Sequence, residues 1–362
     1  MNGYERFMTA LRREQPDRVP TWELIINRPV IDALYGPEAT HIDFVEKEEM
    51  DGICVFGNYR TVKELSEDSY IGEFGVTWKL ASNGVYYPHG GPITSAADVE
   101  KWESPDPDDE NRFATLREAV QRFKGEKAIV FLAHETFEFS HYLMGGMSNL
   151  FLNYALEPGI CLALSEKLVE YNCRIIANAV SAGADAIVTG DDYATEKGPL
   201  ISPEYFETFA VPYIKRVVEA SHRAGVPHIK HTDGRLWPVM EQLIGTGIDA
   251  FDPVEPLAGM DIGDMKRKFG HRIALVGNID CSILLCRGTP EMVEEAVKET
   301  IAKASVGGGH ILASSNSIHP GVRPELYRAM AQAARKYGVY PIDEDLVKQY
   351  KDRNYMEEVR KL

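Results

Sequence analysis

The chain has 362 residues, of which 44% are hydrophobic and 26% charged, a composition typical of globular proteins. Its 39 Lys and Arg residues stand against 55 Asp and Glu residues, which gives a net charge of -16. This balance argues against nucleic acid and anionic membrane as partners, because both bind positively charged surfaces.

Eight short apolar runs recur along the chain, and we predict that each forms a buried β-strand. They are, in chain order, VPTWELI from Val19, GICVF from Gly52, AIVFLA from Ala128, DAIVTG from Asp185, PHIKH from Pro227, DAFDP from Asp249, IALVG from Ile273 and HILAS from His310. Longer helical patterns separate these runs. One of them, ISPEYFETFAVPYIKRVVEASHRAG, begins with Ser-Pro-Glu and ends at Gly225. The alternation predicts a parallel sheet wrapped by helices.

Eight strand–helix units in a chain of this length favour a closed (β/α)8 TIM barrel over an open sheet. The sequence contains no G-x-G-x-x-G or Walker loop, so the usual reason to expect an open nucleotide-binding sheet is missing. We therefore predict a single α/β barrel domain over residues 1–362. Two alternating segments around Asn83-Gly84 predict an inserted β-hairpin near residues 72–93, at the rim of the barrel.

Three features of the sequence bear on the cellular compartment. The five cysteines form no CxxC pair, and the polar N-terminal segment MNGYERFMTALRRE contains no apolar stretch of the kind found in secretory signals. No window approaches the roughly 18 apolar residues of a membrane span. We therefore expect a cytoplasmic protein that does not enter the membrane.

The candidate functional residues lie where the predicted strands end, because barrel enzymes build their active sites at that face. In HIKHTDG, the fifth strand and its turn, Ile229, His231 and Asp233 alternate, so His231 and Asp233 are expected to face the mouth. The other strand ends contribute Glu23, Asn27, Asn58, Tyr59, His134, Glu135, Asp191, Asp192, Tyr193, Asp252, Glu255, Asn278, Asp280, Cys281, Ser314, Ser315, Asn316 and His319. Such a cluster can bind a metal, share protons or activate water.

Structural roles remain open for several of these residues. A carboxylate that follows a strand often caps the next helix, which is the alternative for Asp192 and Asp280. The alternative for His134 is a hydrogen-bonded core histidine, and the alternative for Cys281 is a small buried apolar residue.

Segments along nearly the whole chain resemble the uroporphyrinogen decarboxylase superfamily. They are RFMTALRREQPDRVP, GDDYATEKGPLISPEYFETFAVPYIKRVVEASHRAG, the His231 strand, GNIDCSILLCRGTPEMVEEAV and GGGHILASSNSIHPGVRPELYRAMAQAARKYGVYP. The resemblance implies a (β/α)8 barrel, in agreement with the alternation of strands and helices.

The superfamily includes decarboxylases, which bind a tetrapyrrole bearing many carboxylates, and corrinoid-dependent methyltransferases. The decarboxylases carry an arginine-rich N-terminal motif, an Asp after the second strand and a His in the eighth-strand loop. The matching segments of this chain have only Arg28, Asn58 and Asn316, and an acidic chain without those groups is a poor receptor for a polyanion. We therefore do not expect decarboxylation of uroporphyrinogen.

The methyltransferases that act on thiols bind zinc through a His-x-Cys pair on the fifth strand and a Cys on the eighth. This chain keeps His231 but has Asp233 and Asn316 at the two cysteine positions. Soft thiolates suit a thiol-activating zinc. Their replacement by oxygen groups indicates a substrate that reacts through oxygen or nitrogen.

The resemblance thus implies a methyltransferase that moves a methyl group between a small substrate and a corrinoid (cobalamin) protein. The expected substrate is a methyl ether, such as a methoxylated aromatic. We expect His231 and Asp233 to stabilise the leaving oxygen, by a proton or by a zinc ion that both would ligate, with Glu135 and Asp191 assisting. The residues expected to bind the substrate are Asn58, Tyr59, Phe137, Tyr193 and Asn316.

The corrinoid is expected on a separate partner protein, because the chain contains no Asp-x-His-x-x-Gly segment. Whether the chain forms a homodimer is left open. Two alternatives remain: a cofactor-independent lyase or decarboxylase that uses the same acidic mouth, and a non-catalytic barrel that binds a tetrapyrrole.

Overall fold

The computed structural model describes residues 1–81 and 86–362. The strands in these residues are β1 (Gly52–Phe56), β2 (Thr61–Ser66), β3 (Ser69–Gly72), β4 (Thr77–Leu80), β5 (Tyr86–Gly90), β6 (Ala128–Ala133), β7 (Ala186–Thr189), β8 (Ala194–Thr195), β9 (Gly198–Pro199), β10 (His228–His231), β11 (Ala250–Asp252), β12 (Ala274–Val276) and β13 (His310–Ile311).

The helices surround the strands. They are α1 (Gly3–Leu11), α2 (Arg28–Tyr35), α3 (His41–Lys47), α4 (Ala96–Lys101), α5 (Ala114–Phe123), α6 (Phe137–Leu143), α7 (Met147–Leu156), α8 (Pro158–Ser181), α9 (Pro203–Phe209), α10 (Val211–Arg223), α11 (Met240–Gly245), α12 (Ile262–Phe269), α13 (Leu284–Arg287), α14 (Pro290–Ala304), α15 (Pro324–Tyr337), α16 (Glu344–Tyr350) and α17 (Met356–Val359). Two 3₁₀ helices cover Glu110–Phe113 and Trp237–Val239. None of the helices in the described ranges is both long and apolar enough to span a membrane.

A curled parallel sheet forms the centre of the molecule, in the order β1-β6-β7-β10-β11-β12-β13. Each strand pairs in parallel with the strand of the next predicted unit; for example, Ile229 is opposite Ala250 and His231 is opposite Asp252. This confirms the predicted α/β barrel. Because all the strands run the same way, their carboxyl ends meet at one face.

The first predicted strand is not a regular strand. The segment from Val19 instead lies between β13 and the start of β1 and makes isolated bridges, Thr21 with Leu312 and Ile26 with Ile318. The Trp22 N–H donates to the Leu312 carbonyl, and the Asp51 N–H donates to the Thr21 carbonyl. The Asp51 carboxylate also accepts from the Thr21 N–H at 2.8 Å. The Asp51 side chain therefore supplies part of the hydrogen bonding that closes the barrel.

Two apolar layers follow from the alternation of side chains along the strands. Residues such as Val130, Val188, Ile229 and Val276 fill the barrel interior, where many of the other positions are alanine. Helix α1 packs on this layer with Phe7, Ala10 and Leu11. The alternate strand residues face outward and pack against the surrounding helices.

The helix predicted from Ser202 to Gly225 is two helices, α9 and α10, with a break at Ala210. The reason is Pro212, which lacks an N–H and whose ring excludes the preceding helical carbonyl. The predicted start is confirmed, because the Ser202 hydroxyl accepts from the Tyr205 N–H at 3.3 Å.

The insertion after β1 is larger than the predicted hairpin. Strands β2 to β5 form a four-stranded antiparallel sheet, here called the inserted sheet. Strands β4 and β5 flank the predicted turn and pair with each other. The turn at Asn83-Gly84 lies outside the described residues. Strand β2, TVKELS, is exposed along its whole length and has no apolar run that would have marked it as a buried strand.

Candidate active site

His231 is buried at the end of β10 and is held from behind by Asp252, at the end of β11. The two atoms His231 Nδ1 and Asp252 Oδ2 are 2.5 Å apart. They meet because the two residues are opposite each other in the parallel ladder and share the interior face. Burial alone would lower the pKa of His231, but the Asp252 carboxylate, with smaller contributions from Asp192 and Asp233, more than offsets burial, so the pKa is raised. The imidazolium is thereby favoured, with Nε2 directed away from Asp252.

Two further carboxylates, Asp192 and Asp233, lie beside His231 at the mouth. Asp192 Oδ1 is 3.9 Å from His231 Nε2. It also accepts from the Asp233 N–H at 3.4 Å. The Asn316 amide donates to the Asp233 carboxylate. Burial, reinforced by repulsion from Asp233, raises the pKa of Asp192 to about 7. Burial likewise raises the pKa of Asp233. The pair therefore holds a proton more readily than ordinary carboxyl groups.

A cavity of about 300 Å³, here called the mouth cavity, opens over these groups. It is lined by Leu24, Ile25, Phe56, Tyr59, Leu132, His134, Gly190, Asp192, His231, Asn316 and Ser317. Neither Lys nor Arg is among these residues. The site thus combines an imidazole, carboxyl groups and apolar walls, which suits proton transfer to a small substrate with an apolar part.

A second histidine, His134, reaches the same cavity from the end of β6. Its Nδ1 is 2.9 Å from Asp191 Oδ1. Asp191 is fully buried and also accepts from the Glu135 and Glu138 N–H groups, at 3.2 and 3.1 Å. Burial lowers the pKa of His134, but the hydrogen bond and the charge of Asp191, together with the charges of Glu138 and Glu135, outweigh burial, so the pKa is raised. Asp191, predicted to assist catalysis, therefore contacts the cavity only through His134.

Glu135 lies on the other side of the sheet. It follows His134, so it faces outward, where Lys230 faces outward from β10. Both side chains have zero exposure, and Lys230 Nζ lies 2.9 and 3.0 Å from the two Glu135 carboxylate oxygens. The Tyr193 hydroxyl donates to the same carboxylate at 3.2 Å. The structure thus places Glu135 in a buried ion pair behind the site, and not with His231 and Asp233.

The residues predicted to bind the substrate separate into two groups. Tyr59 and Asn316 line the mouth cavity. Phe137 and Tyr193 are buried, at 1% and 0% exposure, and pack against each other with ring centroids 4.9 Å apart, outside the barrel interior. Asn58 is exposed and accepts from the Thr115 hydroxyl at 2.9 Å. In this structure the last three residues do not line the mouth cavity.

Several other strand-end residues have structural partners. Glu23 is buried and accepts from the Ser314 hydroxyl at 2.6 Å, and burial raises its pKa to about 8. The Asp280 carboxylate accepts from the Ile283 and Leu284 N–H groups at 2.7 Å, which is the capping role left open above. Cys281 is 1% exposed, and burial raises the pKa of its thiol to about 12. These residues support the loops around the mouth.

The donor arrangement does not fit the expected zinc ion. His231 could offer a metal only Nε2, because Nδ1 contacts Asp252, and the Asp233 carboxylate is contacted by the Asn316 amide. Across residues 1–81 and 86–362, no three His, Cys, Asp or Glu side chains are placed to hold a metal ion together.

Sequence reasoning missed two pairings: Lys230 with Glu135 behind the site, and Asp252 with His231 within it. Lys230 was read as part of an apolar run, although a lysine within a buried parallel strand requires a buried carboxylate partner. Asp252 was included among the strand-end residues but was not assigned to His231. The signal that pairs them is register, since each is the last residue of its strand and the two strands are consecutive.

Comparison with known proteins gives consistent results along the chain. The family model for uroporphyrinogen decarboxylase (URO-D) matches residues 2–337. The uroporphyrinogen decarboxylase of Aliivibrio salmonicida is 26% identical over 347 residues, covering 89% of this chain and 93% of that protein. The enzyme of the same name from Alkalilimnicola ehrlichii is 26% identical over 365 residues, with 92% and 93% covered.

Among solved structures, a methyltransferase from Methanosarcina mazei superposes with a TM-score of 0.75. The alignment covers 93% of this chain and 99% of that chain, at 18% sequence identity. This likeness shows a common fold.

Proposed function

This chain belongs to the uroporphyrinogen decarboxylase family, and we propose that within it the protein is a methyltransferase. It moves a methyl group between a small methyl ether and the corrinoid of a partner protein. The methyltransferase from Methanosarcina mazei supports this proposal by sharing the fold over nearly the whole chain. The residues of the mouth cavity support it more specifically.

The observation that carries the proposal is the charge of the mouth cavity. His231 and Asp192 line it, Asp233 and Asp252 contact them, and none of the lining residues in the described part of the chain is Lys or Arg. With three carboxyl groups against one imidazolium, the cavity offers too few positive groups for a tetrapyrrole with many carboxylates, because like charges in contact are costly. A small neutral ether carries no such charge.

Arg28, which stands where decarboxylases have an arginine-rich motif, is engaged elsewhere. Its Nε is 2.6 Å from Asp32 Oδ1, and its Nη1 donates to the Ala39 carbonyl at 2.7 Å. It is therefore committed to helix α2 and the loop that follows. This contact argues against the alternative of uroporphyrinogen decarboxylation.

In the proposed reaction, a reduced corrinoid held by the partner protein would be the methyl acceptor and would supply the electron pair for the new bond to the methyl carbon. The bond between the methyl carbon and the ether oxygen breaks, and its electron pair remains on the oxygen, which must gain a proton. His231 would give that proton from Nε2, a role supported by the contact of Nδ1 with Asp252, which favours the imidazolium. Asp192 and Asp233 lie beside His231 and would hold a proton that can replace the one His231 gives up, since both of their pKa values are raised.

The test is a spectroscopic assay of methyl transfer. The protein is mixed with reduced cobalamin and a panel of methoxy compounds, and the visible spectrum is followed for the methylated product. His231→Gln should abolish transfer, whereas His222→Gln should not, because His222 is a surface residue paired with Asp249. Absence of transfer to cobalamin and to a cognate corrinoid protein with every ether would overturn the proposal. Turnover of uroporphyrinogen without cobalamin would establish the decarboxylase alternative instead.

A further inference from the structure

A second cavity, of about 310 Å³, lies between the inserted sheet and helix α6. Its walls are mostly aromatic, and we call it the aromatic cavity. The Phe, Tyr and Trp rings come from Tyr59, Tyr70, Phe74, Trp78, Tyr86, Phe139 and Tyr142. Phe74 and Phe139 are in contact at a centroid distance of 4.3 Å, and Tyr70 meets Tyr86 edge-on at 5.0 Å. The volume is at the lower end of the roughly 300–1,000 Å³ of small-molecule pockets.

The charged groups at this cavity are compensated by each other. Arg112, 2% exposed, donates to both oxygens of Glu73, at 2.7 and 3.1 Å. Arg60 lies 3.2 Å from Asp109 and 3.7 Å from Glu73. The cavity therefore presents aromatic faces without an uncompensated charge among its described lining residues. That environment favours an uncharged planar ring, because ring faces and edges attract one another at centroid distances of about 4.5–7 Å.

The aromatic cavity adjoins the mouth cavity through two shared residues. Tyr59 and His134 line both. The mouth cavity in turn contains His231 and Asp192. A ring seated beneath the inserted sheet would therefore direct its nearest substituent past His134 toward His231.

We infer that the aromatic cavity binds the benzene ring of the substrate, and that its methoxy group extends past His134 into the mouth cavity. This inference rests on the proposed function for the identity of the substituent. The location of the ring rests on the cavity itself. The inference narrows the substrate class to ethers with a single uncharged aromatic ring. The inserted sheet would then form one wall of the substrate-binding site.

The experiment uses 1,2-dimethoxybenzene as the probe and requires no corrinoid. Binding is titrated by intrinsic fluorescence, because Trp78 lines the cavity, and in parallel by calorimetry. Trp78→Phe should remove the fluorescence change while retaining binding heat. Tyr86→Ala should weaken binding about tenfold, because one aromatic wall is lost.

The matched control is Tyr87→Ala. Tyr86 and Tyr87 are consecutive on β5 and are 39% and 40% exposed, but Tyr87 does not line the cavity. Its variant should bind the probe within twofold of the wild type. Equal weakening by both substitutions, or binding that neither affects, would overturn the inference.

The experiments can refute the ring-binding inference and the proposed methyltransferase function independently of each other. Selective loss of probe binding in Tyr86→Ala, without methyl transfer from any ether, would support the ring site and overturn the methyltransferase. Methyl transfer with the same KM in the Tyr86 and Tyr87 variants would support the methyltransferase and overturn the ring site.

Discussion

His231 and Asp252 are the last residues of two adjacent parallel strands, and the ladder places His231 Nδ1 2.5 Å from Asp252 Oδ2. The backbone register, and not a flexible loop, therefore fixes the orientation of the imidazole. Nε2 is left for the substrate.

The first prediction concerns Asp252. Asp252→Asn removes the largest of the charges that raise the pKa of His231 and leaves only the smaller contributions of Asp192 and Asp233 against burial, so that pKa should fall. If protonated His231 is the acid, kcat falls as pH rises through its pKa, and the alkaline limb of the pH profile should move to lower pH. We expect a shift of about one pH unit or more, measured as methyl-transfer rate between pH 5.5 and 9. An alkaline limb that stays in place would show that another group titrates.

The second prediction concerns Asp233. Its side chain accepts from Asn316, and the next helix, Trp237–Val239, has no side-chain cap, so Asp233 does not serve as a helix cap. Asp233→Asn should lower kcat on the order of a hundredfold, with little loss of stability. Asp264→Asn is the control and should be fully active, because this half-exposed side chain on α12 pairs with Arg267. A stable Asp233→Asn protein with normal methyl transfer would refute a catalytic role.

The third prediction concerns Glu135. Removing one partner of a buried ion pair leaves an uncompensated charge, so Glu135→Gln should lower the free energy of unfolding by about 3–5 kcal/mol. Urea denaturation measures this loss. The same change at exposed Glu358, which pairs with Lys361, should cost under about 1 kcal/mol. Wild-type stability combined with lost activity would instead place Glu135 in the chemistry, as the sequence suggested.

The fourth prediction concerns Glu23. Its folded-state pKa of about 8 is above the ordinary value, so the native state holds a proton that the unfolded state has released. Stability should therefore decline as pH rises from about 4.5 to 8, by at most ~1.4 kcal/mol per pH unit, and level off above that window. Glu23→Gln is a neutral isostere and should remove this component. Denaturation midpoints at pH 5 and pH 8 test it, and an unchanged difference between them would contradict the assignment.

The fold could be predicted because the same sequence pattern, a short apolar run followed by a helical segment, recurs along the chain. Apolar runs such as AIVFLA and DAIVTG are buried strands, as expected for a parallel sheet covered on both faces. The alternation rule also placed His231 on the interior face. It was less informative for Asp233, because β10 ends at His231 and the contact with Asn316 orients the next carboxylate.

The rest of the site depends on contacts between distant segments. Glu135 and His134 are adjacent in sequence, yet they lie on opposite sides of the sheet, and only the register of β6 distinguishes them. Phe137 and Tyr193 follow strands as Tyr59 does, but they pack against each other instead of facing the mouth. The walls of the aromatic cavity come from the inserted sheet, whose short and partly exposed strands carry weak periodicity.

The irregular closure of the barrel has a consequence for how the protein opens. The segment from Pro20 to Ile26 is held by isolated bridges and by Asp51, whose carboxylate also contacts Arg6 and Arg18, at 2.5 and 3.0 Å. Isolated bridges protect fewer backbone amides from exchange than a continuous strand ladder does. The segment from Pro20 to Ile26 should therefore have the smallest free energy of local opening in the barrel wall. Amide hydrogen exchange should therefore be fastest here among the barrel segments. Leu24 and Ile25 belong to this segment and also line the mouth cavity. Local opening of the barrel wall should therefore also widen the substrate entrance.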